Sequence, residues 1–163
     1  MHRRHLLTIA AAAGAVGALA AFPAGAAAAP ADVVKGYLAA WNAHDIEAAA
    51  NYFADDVTYF DASVGTPVEG KDEATKNIVA SFINAAPDLK WEMLGDPIVE
   101  GEMVAFEWRF SGTNTGAWAD GTAPAGKPFS FLGASVFRVA GDKIATQSDY
   151  YDALGFYKQL GWL

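Results

Sequence analysis

The chain has 163 residues, 11 basic against 19 acidic, three histidines and no cysteine. A formal charge of −8 argues against nucleic acid or an anionic membrane surface as the partner. The absence of Cys excludes disulfides and cysteine-borne lipid anchors, and two of the three His fall in the first five residues, leaving His44 too isolated for a zinc site or a Ser-His-Asp triad.

Residues 1–29 have the order of an export signal. Arg3 and Arg4 are followed by an apolar run from Leu6 to Ala20 and then by small residues offering Ala-x-Ala cleavage sites. The apolar run is too short to span a bilayer, so no membrane partner is expected after cleavage. A twin-arginine signal and a general secretory signal both fit. Taking Arg3 and Arg4 away leaves 9 basic residues against 19 acidic, a formal charge of −10 for residues 30–163. Those residues are expected to form one domain, secreted or periplasmic, large enough for a core.

From Ala31 the pattern is helical. Val33, Val34, Tyr37, Leu38 and Trp41 recur at three- and four-residue spacing and share one face. Asp45 is placed to cap a second helix reaching to about Phe53. A short strand, 57–61, puts Val57, Tyr59 and Asp61 on one side. A Gly/Pro loop precedes a third helix, roughly Asp72 to Ala85, which ends before Pro87.

The second half reads as strands at 89–100, 102–112, 128–140 and 143–151, with a long glycine-rich loop from Thr113 to Lys127. Asn114 in that loop reads as a turn residue, and His44 as exposed. Helices first and strands later give an α+β fold, a curved antiparallel or mixed sheet with helices over its concave face. Such a sheet leaves a conical cavity, which the aromatic content makes apolar. Trp41, Tyr59, Trp108, Phe131 and Tyr151 are candidates to line it, and each fits equally well as core.

Near the C-terminus, alternation separates two carboxylates. Ala145, Gln147, Asp149 and Tyr151 fall on one strand face; Ile144, Thr146, Ser148, Tyr150 and Asp152 fall on the other. Asp152 has a structural role as N-cap of a last helix. Asp149 has none, and an inward carboxylate within a strand is costly unless used. Asp61 reads either as a pocket base or as a solvated strand end. On its pattern alone Tyr37 reads as a core tyrosine whose hydroxyl has found a partner.

The stretches Tyr37-Leu-Ala-Ala-Trp-Asn-Ala-His-Asp45 and Phe53-Ala-Asp-Asp-Val-Thr-Tyr-Phe-Asp61 resemble the front half of ketosteroid isomerases. The back half resembles SnoaL-like polyketide cyclases, through Gly112-Thr-Asn-Thr-Gly116, Ala123-Pro-Ala-Gly-Lys127, Val136-Phe-Arg-Val139 and the ending Asp149-Tyr-Tyr-Asp-Ala-Leu-Gly-Phe-Tyr-Lys-Gln-Leu-Gly161. Both families have the nuclear transport factor 2-like fold. The resemblance implies Asp149 as the acid/base of a cyclase, Asp61 as the proton shuttle of an isomerase and Tyr37 as an oxyanion donor. Where those families carry Asp or His as a second donor, this chain has Ser135.

The resemblance also implies cofactor-independent chemistry next to a carbonyl of a small apolar molecule, without metal, in a homodimer paired through its sheet. Gln147 joins the candidate substrate contacts. The rival expectation is a non-catalytic protein of the same fold that binds a hydrophobic ligand. An export signal fits an intracellular cyclisation poorly and favours that rival.

Overall fold

The structure is a computed structural model that describes residues 28–163. The expected export signal lies outside the described residues except for its last two. Pro30 starts the first helix, where its missing N–H costs nothing, and α1 runs Pro30–Asn42. All five residues of the predicted stripe are buried against the sheet. Trp41 keeps only 2% of its surface exposed, and burial of such a ring stabilises by about 3 kcal/mol.

Asp45 caps α2, Ile46–Ala50, accepting from the Ala48 amide at 2.9 Å. His44, expected to be exposed, is half-buried instead. Its backbone takes a positive φ of 58°, and its ring Nε2–H donates to the Leu89 carbonyl at 2.9 Å, tying the turn between α1 and α2 to the body of the protein. α2 stops short of the predicted end because Phe53 joins the first strand, pairing with Ile144. β1 is therefore Phe53–Asp61 and meets a two-residue strand, β2, Val68–Glu69, inside the predicted loop.

The third helical segment is interrupted. α3, Lys71–Ala74, passes through a π turn, Thr75–Val79, into α4, Ala80–Ala85. β3 (Lys90–Glu100), β4 (Met103–Thr113), β5 (Pro128–Ala140) and β6 (Lys143–Tyr151) come next, and α5 (Ala153–Leu160) closes the chain. Asp152 caps α5 by accepting from the Gly155 amide at 2.8 Å.

The sheet order is β2-β1-β6-β5-β4-β3, with β1 and β6 parallel and every other pair antiparallel. This is the α+β architecture expected, a curved open sheet with helices on its concave face. One detail of β6 differs. Arg138 pairs with Thr146 but Val139 pairs with Ile144, so Ala145 is an extra residue. That bulge turns Ile144 inward to the face of Gln147, reversing the simple alternation, and leaves Ile144 fully buried.

Candidate active site

Parallel pairing of β1 with β6 builds the site. Asp61 stands opposite Asp149, and Tyr59 opposite Gln147, with all four side chains on the concave face. Asp149 is 7% exposed, yet no cation is among its partners. Ser135 donates to its Oδ1 at 2.6 Å, Gln147 Nε2 to its Oδ2 at 3.0 Å, and the Tyr59 hydroxyl donates to Oδ2 as well. Burial pushes the Asp149 carboxyl up to about 6, although these three donors pull the other way and the nearby Asp61 adds to the rise. A carboxylate tuned close to neutrality suits proton transfer to and from carbon.

Behind Asp149 a second row holds its donors in place. Trp108 Nε1–H donates to the Ser135 oxygen at 2.7 Å, which aims the serine proton at the carboxylate. Gly133 makes this possible. It pairs with Trp108 on β4 and Tyr151 on β6, and a Cβ there would lie 2.3 Å from the Trp108 ring. Gln147 also donates to Tyr59 Oη at 2.9 Å. Burial and the charge of Asp149 raise the Tyr59 hydroxyl well above its ordinary value, keeping it a protonated donor.

Asp61 sits at the end of β1 and faces the cavity at once. Its Oδ1 accepts from the Ser63 amide at 2.7 Å and the Ser63 hydroxyl at 2.6 Å, forming the turn that ends β1. Its Oδ2 accepts from the Tyr151 hydroxyl at 3.0 Å and faces the cavity. Burial, then the charge of Asp61, raises the Tyr151 hydroxyl, so it too remains protonated.

The cavity has two parts. A narrow inner chamber of about 30 Å³ is lined by Asp61, Asp149, Tyr59 and Tyr151 with Trp41, Trp108 and Phe131, all anticipated, and by Phe82, Trp91 and Phe110, which were not. An outer cleft of about 740 Å³ lies beyond it and shares Asp61, Phe82 and Tyr151 with the chamber. Its walls include Asn77 and Ile78 from the π turn, Trp118 from the long loop and Tyr157 from α5. Asn114 proves to be a fully buried hub for that loop. Its amide donates to the Ala85 and Gly116 carbonyls, and its oxygen accepts from the Ala125 amide at 2.7 Å.

Three candidates stand outside the lining. Ser135 is corrected from substrate donor to Asp149 partner, because its one proton is already given to the carboxylate. Gln147 sits behind Asp149 with its amide protons directed to Asp149 and Tyr59. Tyr37 is fully buried among aromatic rings; its hydroxyl lies beside the Trp41 indole without hydrogen-bond geometry and has no partner. Burial raises it well above the ordinary tyrosine value. The buried indole N–H groups of Trp41 and Trp91 likewise have no hydrogen-bond partner, and both residues line the inner chamber.

Residues 34–147 match the profile of the SnoaL-like domain. No curated protein matches the chain. Among solved structures, the chain is similar to a hypothetical protein from Catenulispora acidiphila with a ketosteroid isomerase-like fold, crystallised with trimethylamine. The two are 24% identical with a TM-score of 0.66, over 80% of this chain and 92% of that one. It is similar to IdmH, a proposed polyketide cyclase of Streptomyces antibioticus, at 22% identity and a TM-score of 0.67, over 82% of this chain and 99% of that one. A proposed SnoaL-like polyketide cyclase from Jannaschia is 18% identical with a TM-score of 0.66, over 82% of this chain and 95% of that one. At such identities these structures share the fold, and the profile match over most of the described chain carries the family: the protein belongs to the SnoaL-like family.

Proposed function

We propose that this protein is a cofactor-independent acid/base catalyst that moves a proton next to the carbonyl of a small, largely apolar compound, leading to isomerisation or aldol closure. The observation that carries the reading is Asp149, buried, held by three neutral donors, raised to about 6 and facing an aromatic cavity. Asp149 takes the proton from carbon and returns it. Asp61 is the second carboxylate, positioned by Ser63 and Tyr151 at the mouth of the inner chamber. Tyr151 stands at the same mouth with its hydroxyl proton directed to Asp61, so a carbonyl oxygen can take that proton only in competition with the carboxylate. The neighbouring structures described as polyketide cyclases support the reaction class.

The test is deuterium incorporation from D2O into the carbon next to the carbonyl of small cyclic enones and diketones, read by mass spectrometry. A positioned acid/base contributes about 100- to 10,000-fold, so Asp149→Asn should lose at least about 100-fold. Exchange that is undiminished in Asp149→Asn refutes the assignment.

The second reading is a non-catalytic ligand-binding protein. It is favoured by the commitment of the Ser135 proton to Asp149 and by the enclosure of Tyr37, which leave the chamber with few donors for a developing oxyanion. Ligand binding without exchange in any member of the panel selects it. Export by residues 1–29 and pairing of two chains through the sheet belong to both readings. Exposed Leu132, Val136 and Tyr150 on the outer sheet face support the pairing.

A further inference from the structure

Asp61 and Asp149 are cross-strand neighbours in an aromatic cavity, and their hydrogen-bond partners are all neutral: Ser63, Tyr151, Ser135, Tyr59 and Gln147. Buried charges in proteins are ordinarily paired with an opposite charge. Here, among the described residues, no Lys, Arg or His lines either chamber. The ion pairs among those residues, Arg109–Glu92 and Arg138–Glu102, join half-exposed side chains of other residues. The outer cleft adds a third carboxylate, Asp120, and again no cation. Negative potential is therefore focused along the whole path from the cleft to Asp149.

The walls along this path complement a cation in a second way. Phe82 belongs to both chambers, and Trp118 meets it at 5.1 Å with the ring planes at 90°, making a two-sided aromatic corner beside the shared Asp61 and Tyr151. Aromatic faces attract ammonium groups, most strongly where water is excluded. A metal ion fits this surface less well: among the described residues no three His, Cys, Asp or Glu side chains are grouped to hold one.

We propose that the junction of the two chambers binds an organic cation, a protonated or quaternary amine carried by the ligand, between the Asp61 carboxylate and the faces of Phe82 and Tyr151. The proposal rests on the reading of this cavity as the ligand site and is independent of turnover. The amine supplies the positive charge that the chain itself does not place beside Asp61 and Asp149. The small inner chamber then receives only the group next to the nitrogen, which brings it to Asp149.

The experiment compares choline with 3,3-dimethyl-1-butanol, which has the same shape and hydroxyl but carbon in place of charged nitrogen. Binding to the full chain is followed by NMR titration in about 0.3 M salt, which screens the general attraction of an acidic surface. Choline is expected to bind at least about tenfold more tightly than the alcohol. Asp61→Asn should cut that preference to about threefold or less, leaving the affinity for the alcohol unchanged. Phe82→Leu, which keeps apolar bulk but removes the aromatic face, should weaken choline alone and serves if the first variant does not fold. Equal binding of the two probes, or a preference that survives both substitutions, overturns the proposal. Either of those results leaves the deuterium-exchange reading standing, since exchange on a neutral ketone needs no positive charge on the ligand.

Discussion

Replacing Asp149 by Asn should separate stability from function. In the folded protein the Asp149 carboxyl sits at about 6 rather than 3.8, so the native state holds its proton more tightly than the unfolded chain does. Below the unfolded value both states are protonated and the residue costs nothing extra. As pH rises through 4 to 6 the unfolded chain ionises first, and stability is lost until the folded carboxyl ionises too. Above that range the burial of the charge costs about 3 kcal/mol. Asn has nearly the same shape and carries no charge; its single oxygen accepts on one side only, a loss that is the same at both pH values and drops out of the comparison between them. The stability of Asp149→Asn relative to the unmodified protein should therefore rise by about 3 kcal/mol between pH 3.5 and pH 8. Urea unfolding at the two pH values, analysed with a common slope, measures this directly. Because the comparison is a difference between two proteins, the other titrating groups largely cancel. A difference that is flat with pH, or that moves against the Asn variant as pH rises, refutes the claim that burial dominates the environment of Asp149.

Three further substitutions probe the surrounding architecture. Ser135→Ala removes a donor to the ionised carboxylate, a bond worth about 1.5–3 kcal/mol, so the Asp149 titration followed by carbon-detected NMR should move upward by about one to two pH units. Gly133→Ala places a methyl group against the Trp108 ring, forces the indole off Ser135 and should cost about 1–3 kcal/mol in urea unfolding, with a change in tryptophan fluorescence. Asp152→Ala should lose about 1 kcal/mol through its helix cap while deuterium exchange stays within about twofold of the unmodified protein, because the residue is exposed and lines neither chamber.

The features legible in the sequence were those set locally. The stripe of α1 follows from a 3.6-residue period, and Asp45 and Asp152 announce helix starts through short-range capping. The inward faces of Tyr59, Asp61 and Asp149 follow from the period of two in a strand. Contacts across the sheet were not legible in the same way. Nothing local announces that β1 lies parallel to β6, yet that pairing brings the Tyr59 hydroxyl to Asp149 and places Asp61 beside it. Nor does alternation reveal the extra residue Ala145, which turns Ile144 inward. Ser135 was found by resemblance, but its proton is directed by Trp108 from a neighbouring strand, and this changes its role from substrate contact to support for a carboxylate. Phe82, Trp91, Phe110 and Trp118 were not anticipated, because periodicity marks burial without distinguishing a packed interior from a cavity wall.

The central claim is that Asp149 is the group that moves the proton. It is tested most directly by the pH dependence of kcat/KM for deuterium exchange on a ketone that the protein turns over. The ionised carboxylate is the active base, so kcat/KM should rise with pH and level off through about 6, and Ser135→Ala should carry the same limb upward. A profile without a limb near that value, or one that Ser135→Ala leaves unmoved, contradicts the assignment of Asp149.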